Sequence, residues 1–485
     1  MSDAVDVPHA DQQAGTSVVD KPTADTAGTH QGQHGEQFNT RDGATMATVI
    51  QAYRFALDPT PRQRRALASH CGAARVAYNW GLELVKTRLD QRRAGDNVEV
   101  PWTLPELRRE WNRAKQQVAP WWAENSKEAY SSGLDGLARS LRNWSDSHRG
   151  HRRGRPMGFP RRKRKRRTHD TCRFTTGAIH VLPDRKHVQL PRIGILKTHE
   201  STRKLARRIE KDTARVLAAT ISRTADRWHV SFTVEVERCI PVSNRKPTVV
   251  GVDVGVYHLA VLSTGESVPN PRALESVQRS RRRLQRQWSR RERHRKAEGR
   301  ERPSRRQLRT RQRIARLEAR AANIRGHELH RLTTRLVSTH GTIVVEQLNV
   351  IGMLSNRRLA RVVADAGFGE IRRLLSYKSA WNGATLVVAD LYYPSSKTCS
   401  GCGAVKVKLA LAQRIFRCEG CGAVIDRDLN AARNLAKLVV DVAESGPETG
   451  NARRVDVSPG LAGLTAVKRE AGTGQRPGET GTVGA

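Results

Sequence analysis

The chain has 485 residues, 37% hydrophobic and 28% charged, and its 87 Lys+Arg against 47 Asp+Glu leave a formal net charge of +40. That length accommodates about two to four modules, and so large a positive excess repels itself unless a polyanion neutralises it, which makes nucleic acid the expected partner. No apolar run approaches the roughly 18 residues that a spanning helix needs, and no signal-peptide core follows the start; the expectation is no membrane partner and a cytoplasmic, nucleoid-associated protein.

Residues 1–45 are polar and net acidic with no hydrophobic period, and read as a disordered tail. Met46 closes this stretch as an alternative start. Val49, Gln51, Tyr53, Phe55 and Leu57 alternate as a short strand, ended by the turn Asp58-Pro59-Thr60-Pro61. A helix carrying Leu67 and Cys71 follows, then a second with Val76, Tyr78, Trp80 and Leu84. Residues 102–144 continue as helices with Trp102, Trp111, Trp121, Trp122 and Trp144 at helical spacing, which favours interhelix packing over base stacking.

The run HRRGRPMGFPRRKRKRR within residues 149–167 reads as a solvated linker able to contact phosphates. The segments RFTTGAIHVL, KHVQLPRIG, RVLAATISRT and RWHVSFTVEVE then alternate in the strand manner. Strand material on both sides of a helical insert predicts one β-barrel-like domain interrupted by a helical one. PTVVGVDVGVYHLAVLSTG predicts an apolar hairpin. Residues 274–336 read as a basic helical hairpin broken at Pro303, with Ile314, Leu317, Ala321 and Ile324 on the buried face of its second arm. GTIVVEQLNV predicts a buried strand, 357–381 a helix, ATLVVADLYY another strand, and DRDLNAARNLAKLV a capped amphipathic helix. Residues 443–485 are Gly-, Pro- and Thr-rich and read as a second disordered tail.

Three carboxylates carry candidate chemistry. Asp253 lies in VVGVDVGV, Glu346 in TIVVEQL, and Asp428 opens DLNAARNL. A carboxylate inside an otherwise buried run costs several kcal/mol unless it is paired or metal-bound. Each alone fits a salt bridge to one of the many arginines. Acids on two strands and a following helix, taken together, suit Mg²⁺, which prefers oxygen ligands and can activate water against a phosphodiester. Gly251 and Gly255 flank Asp253 and would let a nucleic-acid backbone approach. A lone G-x-D-x-G also occurs in actin-like ATPases, but no P-loop accompanies it here. Asp426 rivals Asp428 as the third ligand and is read instead as a capping residue.

Of the seven cysteines, four cluster as Cys399-x2-Cys402 and Cys418-x2-Cys421. Two C-x-x-C knuckles, CSGCG and CEGCG, suit a four-thiolate zinc site, structural because it leaves no open position. A redox pair would need only one such motif.

GVDVGV, IVVEQLNV, SSKTCSGCG, CEGCG and DRDLNAARNL, with YRFALDPTPRQRRAL and ARVAYNWGL near the start, together resemble the TnpB proteins of insertion sequences, relatives of the compact type V CRISPR effectors. The likeness runs in order over residues 50–440. It implies a multidomain α+β fold: a β-barrel wedge domain (46–59 and 146–246) with an inserted helical recognition domain (60–145), then an RNase H-like (RuvC) α/β domain (247–394 and 426–442, helical hairpin 272–336) with an inserted zinc ribbon (395–425). It implies a guide (ω-type) RNA, double-stranded target DNA cut beside a short target-adjacent motif, catalytic Mg²⁺ on Asp253, Glu346 and Asp428, and structural zinc on Cys399, Cys402, Cys418 and Cys421. Readings of another class are a CRISPR effector, a guide-dependent DNA-binding regulator without cleavage, and a strand-joining transposase; the oligomeric state is left open.

Overall fold

A computed structural model describes residues 40–41, 44–152, 154–165, 168–241, 248–410, 412–444 and 456–457. Most of the two expected disordered tails lies outside these residues. The exceptions are the strand residues 40–41 and 44–45 at one end and, at the other, residues 443–444, which end the helix Arg427–Glu444, and Asp456–Val457, which pairs antiparallel with Val387 and Val388. No helix among the described residues is long and apolar enough to cross a membrane.

The first half of the chain is an antiparallel sheet with helices packed on it. The strand Ala44–Asp58 is 15 residues long, not short, and its alternation matches that of Arg227–Pro241, to which it pairs from Ala44↔Pro241 to Leu57↔Trp228. Every second residue of that partner, Trp228, Val230, Phe232, Val234 and Val236, is buried, as a sheet with one covered face requires. Ala214–Thr224 and Thr171–Phe174 extend it on one side, and Gly194–Thr198, His187–Leu190 and His180–Val181 on the other. The two terminal strands do not pair with each other among the described residues, so the ladder is open at that seam.

One helix, Pro61–Arg93, stands where two were expected. Thr60 and Gln63 form a reciprocal capping box around Pro61, which satisfies first-turn N–H groups and fixes the start. The chain continues as helix through Gly72, with Cys71, Ala73, Ala74 and Ala77 buried on either side of it. The helices Leu104–Val118 and Lys127–His148 pack beside it. Trp80 and Trp111 do pack between helices, 5.2 Å apart between ring centroids, whereas Trp102, in the segment before Leu104, stacks on Trp144 at 6.1 Å.

The second half holds a mixed sheet ordered Ser267–Pro269, His258–Leu262, Val249–Asp253, Thr342–Glu346, Thr385–Ala389, Asp456–Val457. Val249–Asp253 runs antiparallel to its hairpin partner and parallel to Thr342–Glu346, which in turn runs parallel to Thr385–Ala389. These cores read VVGVD, TIVVE and TLVVA because both faces are covered. Val250, Val252, Ile343, Val345, Leu386 and Val388 face the helices Phe368–Asn382 and Arg305–Thr339. Val249, Val344, Val387 and Ala389 face the helix Arg427–Glu444. The hairpin of Ala273–Ala297 and Arg305–Thr339 is present, with Leu317, Ala321 and Ile324 against Ala273 and Val277. The helix expected over 357–381 is instead two, Ala360–Ala366 and Phe368–Asn382, divided at Gly367 with φ +73°.

Gly251 has a different role from the one its position beside Asp253 suggested. A Cβ there would lie 1.9 Å from the Ala432 carbonyl oxygen and 2.6 Å from the Ala436 amide nitrogen. The missing side chain admits the helix Arg427–Glu444, not a nucleic-acid backbone. Gly255 likewise faces protein, with the His258 carbonyl 3.1 Å from a built Cβ. Gly251→Ala should therefore destabilise the protein by about 1–3 kcal/mol or more through overpacking, read as a lowered urea midpoint. Gly369→Ala, where a Cβ meets nothing within 4 Å, should be neutral or slightly stabilising.

Candidate active site and metal centre

The period of two along a strand decides which acids can meet. Gly251 and Asp253 share the face covered by Arg427–Glu444, as do Val344 and Glu346 on the neighbouring strand. Val252 pairs with Val345, so Asp253 and Glu346 stand side by side at the C-terminal ends of adjacent parallel strands. The chain leaves Asp253 to one side of the sheet and returns on the other at Thr342. Such a switch point opens a crevice at the strand ends. The helix then begins at Arg427, which brings Asp428 over the same ends.

Electrostatics tie the three together. Burial, then the charges of Glu346 and Asp428, push the Asp253 carboxyl well above the usual carboxylate range. Burial raises Glu346 too, opposed by the Ser395 hydroxyl, which donates to its Oε1, and by the Arg427 charge. Positive charge is at hand: Arg427, which also donates to the Ala410 and Gln413 carbonyls, acts on both Asp253 and Glu346, and Arg414 approaches Asp428 at 3.7 Å. The carboxylates are not so tightly gathered as the thiols described next, whose ligand atoms form the one such group within 4.8 Å among the described residues. Asp426 caps the helix, its Oδ1 accepting the Asp428 and Leu429 N–H groups at 3.0 Å each.

The four cysteines converge. Cys399 Sγ lies 3.7 Å from Cys421 Sγ, and Cys402 Sγ 3.5 Å from Cys418 Sγ. A tetrahedron with metal–sulfur bonds of about 2.3 Å has sulfurs about 3.8 Å apart, so the quartet fits a soft divalent ion such as zinc. The two knuckles repeat one backbone pattern: Cys399 N–H to Ala404 and Gly403 N–H to Cys399, then Cys418 N–H to Ala423 and Gly422 N–H to Cys418. Gly403 and Gly422 take φ of +79° and +69°, which explains why each motif ends in glycine.

Two asparagines join this centre to the carboxylates, and sequence reasoning gave them no role. Asn430 Nδ2 donates to the Thr398 carbonyl and its Oδ1 accepts the Ser400 N–H. Asn434 Nδ2 donates to the Ser395 and Thr398 carbonyls. Both are almost wholly buried. The first knuckle and the Glu346-binding Ser395 are thus fastened to the helix that carries Asp428. Asparagine is a poor interior helix residue, so two at i and i+4 beside a cysteine motif were the available signal.

The basic segments divide by environment. Lys163, within the 149–167 run, is packed: its Nζ lies 3.9 Å from the Tyr78 ring centroid, and its backbone exchanges hydrogen bonds with the Asn79 side chain. The helical hairpin instead lines open clefts. One of about 1220 Å³ is bounded by Arg54, Arg64, Arg227, Arg316, Arg320 and His327. Another of about 910 Å³ is bounded by Arg272, Arg279, Arg283, Arg286, Arg414 and Tyr257.

Three family descriptions match the chain: OrfB_IS605, "probable transposase", over 231–357; the Cas12f1-like TNB domain over 368–435; and the OrfB_IS605 helix-turn-helix domain over 46–94. Residues 46–94 form a strand and one long helix here. A "putative RNA-guided DNA endonuclease" of Mycobacterium tuberculosis is 40% identical over 454 residues, covering 88% of this chain and 96% of that protein. One from Streptomyces pristinaespiralis is 33% identical over 88% of this chain and 97% of its own length. InsQ of Escherichia coli, with the same description, is 28% identical over 80% of this chain and 91% of its own length. Matches of this extent leave one conclusion: the chain belongs to the OrfB (TnpB) family.

Proposed function

We propose that this protein is an RNA-guided DNA endonuclease of a transposon, hydrolysing target DNA beside a short target-adjacent motif at Asp253, Glu346 and Asp428. The observation that carries the reading is the placement of two half-buried acids at adjacent parallel strand ends, under a helix whose first turn brings a third. Acids so arranged support the RNase H-like (RuvC) reading of residues 247–394 and 426–442. The antiparallel sheet with its inserted helices supports the wedge and recognition reading of residues 46–246.

Asp253, Glu346 and Asp428 would hold Mg²⁺, which when bound supplies a nucleophilic water and charge neutralisation at the scissile phosphate. The chain's own residues do the rest. Ser395 orients Glu346, Asp426 fixes the first turn under Asp428, and the Asn430–Asn434 clamp keeps both in register with the zinc ribbon. Zinc on Cys399, Cys402, Cys418 and Cys421 would stabilise a segment too short to fold alone. Sequence choice falls to base pairing with the guide RNA, while the arginine-lined clefts take guide and heteroduplex phosphates.

Asp253→Asn should abolish Mg²⁺-dependent cutting and leave guide-directed DNA binding intact; cutting at the wild-type rate in a clean preparation would remove the assigned site. The same substitution should stabilise the protein in EDTA at neutral pH. The folded pKa of Asp253 is raised, so the charged form is carried at a cost above that pKa, and the gain should vanish as pH falls to the ordinary carboxylate range. Purified protein should carry one zinc per chain by elemental analysis, and Cys418→Ser with Cys421→Ser should lose the zinc and the cutting while the antiparallel sheet stays folded. Guide RNA binding should weaken about a thousandfold or more between 50 and 200 mM salt, as expected for many phosphate contacts.

A further inference from the structure

We infer that Tyr257, with Arg272 and Arg414, forms a seat for one unstacked base of a single strand, next to the carboxylates. The inference rests on the endonuclease reading and adds to it how the strand is held at the cut.

Tyr257 lies four residues beyond Asp253, in the turn before the strand His258–Leu262. Its side chain has no structural duty that would hide it: it is 60% exposed, although large and aromatic. The His258 ring stands nearly perpendicular to it, with ring centroids 4.7 Å apart at 88°, a contact that steadies the ring and leaves it 60% exposed. The Arg272 and Arg414 guanidiniums lie 6.0 and 5.9 Å from its centroid, at the outer limit of a direct cation–π contact. An exposed π-face between guanidiniums in a basic cleft is the arrangement on which single-stranded nucleic acids stack.

The seat is held in place from two sides. Asn270 donates to the Val256 carbonyl at 2.8 Å, and its Oδ1 accepts the Arg272 N–H at 3.0 Å. Arg272 itself has a left-handed backbone, φ +42°, a strained state for a side-chain-bearing residue that persists only where the surroundings impose it. Arg414 projects from the cysteine-rich segment and reaches both ways, to the ring and to Asp428 at 3.7 Å. One guanidinium thus lies within reach of both ring and acid. A base on Tyr257 would place its flanking phosphate at the carboxylates, with Arg414 moving from Asp428 to that phosphate. A paired, stacked base has no free face to offer, so the seat selects an opened strand.

The test uses the full chain with its guide RNA. Short single-stranded DNA carrying 2-aminopurine should be quenched on binding by wild type and Tyr257→Phe, and not by Tyr257→Ala. On duplex target, Tyr257→Ala should cut about tenfold or more slowly, Tyr257→Phe within about twofold of wild type, and target binding should be unchanged in all three. An abasic site at one nucleotide beside the cut should slow wild type by a similar factor and Tyr257→Ala no further. Equal quenching and cutting by Tyr257→Ala, or losses that multiply, would overturn the seat. Quenching by a wild-type protein that does not cut would sink the endonuclease reading and leave the seat standing.

Discussion

The second half of the molecule depends on one close approach, the helix Arg427–Glu444 lying on the strand Val249–Asp253 where Gly251 has no side chain. Only there can helix backbone come so near strand backbone, with the Ala432 carbonyl occupying the space a Cβ would need. Ala431, Ala432 and Leu435 are fully buried in that contact. The consequence is geometric: a helix seated this low carries its first turn to the strand ends, where Asp253 and Glu346 already stand. Interior close packing makes such a placement specific, because the contact has little room to slide.

The acids then set a cost against the packing. Asp253 and Glu346, half-buried and close to other acids, are pushed toward protonation, which the Arg427 charge opposes, while Arg414 sits at long ion-pair range from Asp428. This is the pattern expected where stability is traded for a site. The asparagine clamp belongs to the same economy of parts. It uses neutral, hydrogen-bonded side chains to fasten the cysteine-bearing segment to the acid-bearing helix without adding charge.

Local patterns were legible where a single element decides the outcome. Short continuous apolar runs marked the strands at Val249, Thr342 and Thr385; helical spacing marked the basic hairpin; the C-x-x-C pairs marked the thiolate quartet. Errors arose where packing outweighed local preference. Two helices were expected after Pro61, yet buried alanines keep Pro61–Arg93 in one piece. Gly367 looked unremarkable inside a helical pattern, yet divides it. Lys163 looked like one more phosphate contact, yet lies on Tyr78. The barrel suggested by strands on both sides of the helical insert is, in its described pairings, an open ladder.

The amino-acid order alone determined which residues carry chemistry, because carboxylates in apolar runs and paired thiols are recognisable without coordinates: burial would be unfavourable for the former and spacing suits metal for the latter. It also determined the family, through motifs in a fixed order. Only the tertiary structure decided that Gly251 serves a helix and not a ligand, that Asn430 and Asn434 fasten one centre to the other, and that Tyr257 stands open between two arginines. Those are relations between segments far apart in the chain, and their physical cause is the fit of one backbone against another, which no local pattern encodes.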